Sequence, residues 1–235
     1  MYWLEQGDYE RIYDGLAYKA ETGDADSFIR QRFQTIISLP PAKSDNAQRV
    51  ARVREYASTR LDFSHPRQVL DIGAGMGVFL HQFLDSRWQG TAIEPDPSAC
   101  EHMRSVLPTA RIIQRYIDQV DLPEHFDLIT MNRTLEHVPN PIAFLRHAAK
   151  LLKPTGIAYV ELPDVRAFYL NGPHDQDFAY GHYVVYTPSA LVHIGREADL
   201  DLHRLQRVIE PSGKHTIYGF FLKSPPRPEQ GGVKA

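Results

Sequence analysis

The chain has 235 residues, 43% of them apolar and 23% charged, with a formal net charge of −3. This length suits one α/β domain. The apolar share excludes a disordered or low-complexity scaffold, and the charge supplies no overall basic field for nucleic acid or anionic lipid. One cysteine, Cys100, excludes an intrachain disulfide and a thiolate metal cluster. No apolar run approaches the ~18 residues of a membrane span. Residues 1–10 lack a basic start followed by an apolar stretch, so a cytoplasmic protein is expected.

Residues 1–62 show helical rather than strand patterns and are expected to form an N-terminal extension or lid. Phe28, Ile29, Phe33, Ile36 and Ile37 recur at helical spacing, and Pro40-Pro41 closes that segment. Asp45 or Asn46 is the expected cap of a second helix, because a short side-chain oxygen accepts from the first free backbone N–H groups. That helix is predicted over 47–59, with Val50, Val53 and Ala57 on one face. Arg49, Arg52 and Arg54 share it; such a run is usually a solvated face, with an anionic substrate as the alternative partner.

From His65 the pattern changes. Strands are expected at 68–72, 91–93, 111–113, 126–131 and 156–162. Helices are expected at 76–87, at 98–106 with Ser98 as cap, and at 141–152. Alternation of this kind predicts an α/β fold with a parallel sheet covered by helices on both faces, since parallel strands need a crossover to return. A late helix over 189–198 precedes two strand-like runs, 203–209 and 216–223, joined by Pro211-Ser-Gly213 as an antiparallel hairpin. The core is thus assigned to 63–224, and the Pro/Gly-rich residues 225–235 to a loose tail.

The most informative stretch is Val69-Leu-Asp-Ile-Gly-Ala-Gly-Met-Gly-Val78. A strand ends at Asp71, glycines follow at 73, 75 and 77, and a helix begins. Glycine permits the turn and lets a ligand approach backbone that a Cβ would block. The dinucleotide fingerprint G-x-G-x-x-G fails from either start, because Val78 and Leu80 stand where its third glycine belongs. Glu94 ends the next strand, near the ~20-residue spacing at which an acid meets ribose hydroxyls. The plain alternative is that Asp71 and Glu94 are ordinary strand-end residues and the glycines only turn the chain.

The D-x-G-x-G-x-G pattern resembles motif I of the class I S-adenosylmethionine-dependent methyltransferases. Leu135-Glu-His-Val-Pro-Asn-Pro141 and Leu151-Leu-Lys-Pro-Thr-Gly156 resemble further segments of that family, and the similarity runs over about 65–223. It implies a Rossmann-like, seven-stranded, mostly parallel sheet with an antiparallel C-terminal hairpin. It also implies S-adenosylmethionine as cofactor, held by Asp71, Gly73, Ala74, Gly75, Gly77, Glu94, Pro95, Tyr116, Ile117 and Asn132. Tyr116 stands where the family commonly has an acid for the adenine amine. Met131-Asn-Arg-Thr134 replaces the D/N-P-P-Y of enzymes that methylate base amines.

The segment after the fifth strand, ending Tyr180-Gly-His-Tyr-Val-Val-Tyr-Thr-Pro-Ser189, resembles methyltransferases of sugars and related metabolites. His182 matches their histidine, Tyr186-Thr187 their F-T pair and Leu191 their leucine, while Gly181 replaces a glutamate. The resemblance therefore implies O-methylation of a sugar or nucleotide-sugar hydroxyl; the cysteine-rich zinc module of C-methylating relatives is missing.

A hydroxyl needs a base, and imidazole titrates in the right range. His182 is the first candidate, with a loop-organising histidine as the alternative, and His137 is second. Glu136, Tyr180 and His215 rank below them as surface or packing residues. Phe168, Tyr169, Phe178, Tyr180, Tyr183 and Tyr186 are read as lid packing or a sugar-stacking wall, within a lid formed by 164–187. No metal is expected, since neither H-x₃-H nor H-E-x-x-H occurs. A small molecule is the expected partner, with no membrane, no nucleic acid and a homodimer allowed. Rival readings are a nicotinamide oxidoreductase, a silent methyltransferase-like binding protein and an RNA methyltransferase.

Overall fold

Five strands run parallel: β1 (Arg67–Ile72), β2 (Trp88–Ile93), β3 (Arg111–Ile113), β4 (Phe126–Asn132) and β5 (Leu152–Pro163). Next to β5 lies β7 (His215–Lys223), antiparallel to it and to the edge strand β6 (Leu200–Ile209). The order is β3-β2-β1-β4-β5-β7-β6. The computed structural model describes residues 25–123, 125–171 and 182–224. Tyr180, Phe178, Gly181 and the tail over 225–235 lie outside these residues.

Period-two alternation divides the strand side chains between two cores. Leu70, Ile129, Met131, Ala158 and Val160 face α5 (Pro141–Leu151) and α7 (Pro188–Glu197), with Leu145, Ala148, Leu191 and Ile194. Val69, Leu128, Ile157 and Tyr159 face α2 (Asp45–Ser58), α3 (Val78–Phe83) and α4 (Pro97–Val106), with Val53, Phe79, Phe83 and Met103. Each fully buried side chain of this size stabilises by roughly 1.5–3 kcal/mol relative to exposure. Outside α4 lies α1 (Ala25–Ile37), whose Phe33 ring stands edge-on to His81 and His102. The short α6 (Arg166–Asn171) follows β5.

Several boundaries differ from expectation, each for a local reason. Ser44, not Asp45 or Asn46, caps α2 by accepting from the Ala47 amide at 3.1 Å. Asn46 instead donates to the Val78 carbonyl and to Gln82, tying α2 to α3. Asp96 caps α4 in place of Ser98, because Pro97 occupies the first helical position and Asp96 Oδ1 takes the Ala99 amide at 2.7 Å. The helix expected over 76–87 is confined to Val78–Phe83, with Asp85 turning the chain through hydrogen bonds from Arg87. Gly77 at its start has φ +79.

The aromatic set named above is not one wall among the described residues. Tyr186 is a core residue, whereas Phe168 and Tyr169 are exposed on α6. In the Tyr186-Thr187 pair, the tyrosine OH donates to the Leu135 carbonyl and the threonine hydroxyl caps α7. The third matched residue, Leu191, is fully buried.

Candidate active site

The strand order reverses between β1 and β4, and in open parallel sheets ligands lie there, beyond the carboxyl ends of the strands. The glycine loop leaves β1 at this point. Its turn places Gly73 at φ +71, and a Cβ there would stand 2.5 Å from Thr134 Cγ2. Gly75, at φ +54, differs: a Cβ there would meet nothing within 4 Å, so open space faces the loop backbone.

Two carboxylates underlie this cradle. Asp71 accepts from Thr130 Oγ1 at 2.6 Å and Asn132 Nδ2 at 2.9 Å, linking β1 to β4. Burial pushes its carboxyl up to about 7, against these hydrogen bonds and the Arg49 charge. Glu94 accepts from the Gly75 amide at 2.8 Å and the Asp96 amide at 3.1 Å, and burial raises it also to about 7. Asn132 Oδ1 is buried and receives no hydrogen bond.

Beside the loop lies a cavity of about 470 Å³, lined by Gly73, Ile93, Pro95, Tyr116, Ile117, Thr134, Val138 and Phe144 among others. That volume lies in the ~300–1,000 Å³ range of small-molecule sites. Gly73, Pro95, Tyr116 and Ile117 of the sequence-derived set line it directly. Asp71, Ala74 and Asn132 stand behind or beside the loop, and Gly77 packs towards Met103 and Leu107. Asp118, Phe144 and His147 line the cavity without having been read from the sequence. Asp118 was legible in principle, as an acid two residues beyond Tyr116 in the same loop.

Arg49 and Arg52 of α2 are neither a solvated face nor open to an anionic substrate, while Arg54 keeps 35% of its side chain exposed. Arg49 forms a buried two-point pair with Glu161, through Nε at 2.9 Å and through NH2. Arg52 pairs with Glu210 at 2.7 Å, and Arg54 donates to the Gln82 and Phe83 carbonyls. Tyr159 donates to Glu161 at 2.6 Å. Burial alone would raise Glu161, but the guanidiniums of Arg49 and Arg52 hold it down at about 2.

The two candidate histidines come together. Leu135–His137 forms a single tight turn between the cavity-lining residues Thr134 and Val138. The chain at 182–186 is fastened to it by the Tyr183 amide, which donates to the Glu136 carbonyl at 2.8 Å, and by Tyr186. The rings of His137 and His182 meet edge-to-face, 4.7 Å apart. Glu136 is buried beside them, so that ligand atoms of all three side chains lie within 4.8 Å of one another. His215 is half-buried on β7, where its carbonyl accepts from the Asp164 amide.

A glycine cradle, two carboxylates at adjacent strand ends and an adjoining cavity at the sheet's switch point occur together here. Residues 42–205, most of the chain, match the family described as "Methyltransferase domain". The chain belongs to the class I S-adenosylmethionine-dependent methyltransferases. A ubiquinone biosynthesis O-methyltransferase of Xanthomonas euvesicatoria is 37% identical over 108 residues, 43% of this chain and 45% of that protein. A trans-aconitate 2-methyltransferase of Enterobacter is 34% identical over 109 residues, 45% of this chain and 42% of that one. The matched stretches thus span less than half of either relative.

Solved methyltransferases share the fold over nearly the full length. A 1,6-didemethyltoxoflavin-N1-methyltransferase of Burkholderia thailandensis, holding S-adenosylhomocysteine, superposes with a TM-score of 0.65 at 19% identity, covering 96% of this chain and 93% of that one. The magnesium protoporphyrin IX methyltransferase of Synechocystis, holding the cofactor, gives 0.66 at 13% identity, covering 95% and 100%. S-adenosylmethionine is the methyl donor of this family, and the residues of this methyltransferase fit it. The open face at Gly75, the unmatched Asn132 acceptor and the Glu94 carboxylate offer the polar contacts, and the apolar cavity lining offers the rest. No helix among the described residues is long and apolar enough to cross a membrane.

Proposed function

We propose that this methyltransferase transfers a methyl group to a hydroxyl of a small metabolite, with a sugar or nucleotide-sugar as the leading acceptor class. The carrying observation is the His137–His182 pair, adjoining the cofactor cavity through Thr134 and Val138. The match of His182, Tyr186, Thr187 and Leu191 to sugar-type methyltransferases supports the class of acceptor.

Bound cofactor supplies an electrophilic methyl on a sulfonium, which leaves as a neutral thioether. The chain's own residues do the rest. Glu94 has lone pairs beyond the two backbone amides it holds, enough to accept from ribose hydroxyls. Ile93, Ile117 and Phe144 provide an apolar slot and exclude water. Asn132 and the loop backbone orient the methionine end, and alignment of this kind can supply on the order of 7–11 kcal/mol. His182, or His137 beside it, takes the hydroxyl proton as the oxygen attacks, worth about 10²–10⁴-fold.

The test is a thermal-unfolding series with S-adenosylhomocysteine, S-adenosylmethionine and NAD⁺, followed by an acceptor screen. At about 100 times its dissociation constant a ligand adds ~2.7 kcal/mol, a rise of roughly 5–10 °C for this chain length. A rise with the adenosyl ligands alone supports the reading, and a rise with NAD⁺ only would overturn it. On the acceptor found, His182→Gln should lower kcat with little change in cofactor affinity. Unchanged turnover removes His182 as the base.

A further inference from the structure

We infer that Glu136, His137 and His182 form a binding site for a first-row divalent cation of the zinc or manganese type. The use made of that cation rests on hydroxyl methylation as proposed above; its binding does not.

The geometry comes first. Candidate ligand atoms of the three side chains lie within 4.8 Å of one another. Bonds of about 2.0–2.1 Å to a shared ion would set such atoms roughly 3–3.5 Å apart, so closing on an ion takes side-chain turns of about 1 Å or a little more and no backbone change. The backbone is already fixed on both sides. Glu136 and His137 sit on one tight turn, and the Tyr183 amide and the Tyr186 hydroxyl fasten the 182–186 segment to it.

The ligand set then selects the ion. Two imidazoles and one carboxylate suit zinc, manganese or iron rather than magnesium or calcium, which favour all-oxygen shells. Three protein ligands also leave coordination positions open, the arrangement of catalytic rather than structural sites. Burial points the same way. Glu136 is 1% exposed while both histidines are half-buried, so the charge lies at the floor and the neutral ligands at the rim.

The position gives the site its use. His137 lies between Thr134 and Val138, both lining the cofactor cavity. A cation there can bind an acceptor through two neighbouring oxygens, as in a vicinal diol or a catechol. Coordination lowers the pKa of the reacting hydroxyl. Its proton passes to solvent water, and the oxygen lone pair becomes available for the new C–O bond as the C–S pair leaves on sulfur. With the ion bound, His137 and His182 are ligands, and this role replaces the general-base role that they have in the metal-free reading above. Sequence spacing hides this arrangement, since the ligands come from two separate loops.

The experiment uses tag-free protein stripped with chelator and titrated with ZnCl₂ by calorimetry, without acceptor or cofactor. One equivalent per chain is expected, weakened at least roughly 10–100-fold in His137→Asn/His182→Asn. The variant should keep its thermal rise with S-adenosylhomocysteine, which reports the methyltransferase reading separately. Diethylpyrocarbonate footprinting of the wild-type chain needs no variant: Zn²⁺ should protect His137 and His182 and leave the remaining histidines reactive. Absence of binding, binding unaltered in the variant, or protection confined to other histidines each overturns the site.

Discussion

Three carboxylates are buried along the ends of β1, β2 and β5, yet they stand in opposite electrostatic states. Glu161 lies against the guanidiniums of Arg49 and Arg52 and is held down at about 2. Asp71 and Glu94 receive only neutral donors, and burial lifts both to about 7. Glu161 is electrically complete and fastens α2 to the sheet. The other two have no cation in hydrogen-bonding contact, so burial holds their protons on to about pH 7, and such perturbed acids gather at functional sites.

The comparison breaks most visibly at Arg49. Arg49→Ala strands a buried carboxylate, with an expected loss of about 3–5 kcal/mol. That is a fall of roughly 6–20 °C in Tm at this length, read by thermal unfolding. Replacing the pair together, Arg49→Met with Glu161→Leu, should recover most of it. A double variant as unstable as the single one would show that the charge pair itself holds α2.

At Glu94 the effect should appear in binding instead. Glu94→Ala removes charge-assisted hydrogen bonds of about 1.5–3 kcal/mol each, so S-adenosylhomocysteine should bind on the order of 100-fold more weakly by calorimetry. Ligand-free Tm should fall by less than in Arg49→Ala, because the Gly75 and Asp96 amides lose their acceptor while the burial cost of the acid is relieved. A Tm drop like that of Arg49→Ala would place Glu94 among the structural acids.

The smallest effect is in pH dependence, where the two classes diverge in sign. Asp71 and Glu94 keep their protons in the folded chain to about pH 7, while the unfolded chain releases them near 4. They therefore withdraw stability as pH rises through that window. Glu161 does the reverse: its contribution is complete above about 4.5 and is lost as pH falls towards 2. Because ribose hydroxyls favour the ionised Glu94, affinity for S-adenosylhomocysteine should rise between pH 6 and 8 by up to about tenfold. Glu94→Gln should flatten that profile, and a flat profile in the parent chain would sink the assignment.

What the sequence determined was local. Gly73, Gly75 and Gly77 after Asp71 and the acid at Glu94 lie within one βαβ unit, and apolar periodicity, strand–helix alternation and the Pro211-Ser-Gly213 turn assigned the parallel strands and the end hairpin. Caps were less legible: Ser44 and Asp96 compete with equally suitable neighbours, and only the local backbone selects between them. The arginines of α2 read as a solvated run because Glu161 is 112 residues from Arg49. The Glu136, His137 and His182 cluster was equally invisible, since a hydrogen-bonded junction of two loops, not a spacing, brings it together. Periodicity and turn chemistry act over a few residues and can be read from the chain. Charge partners and ligand clusters depend on which strand ends become neighbours, and that is decided only when the sheet is assembled.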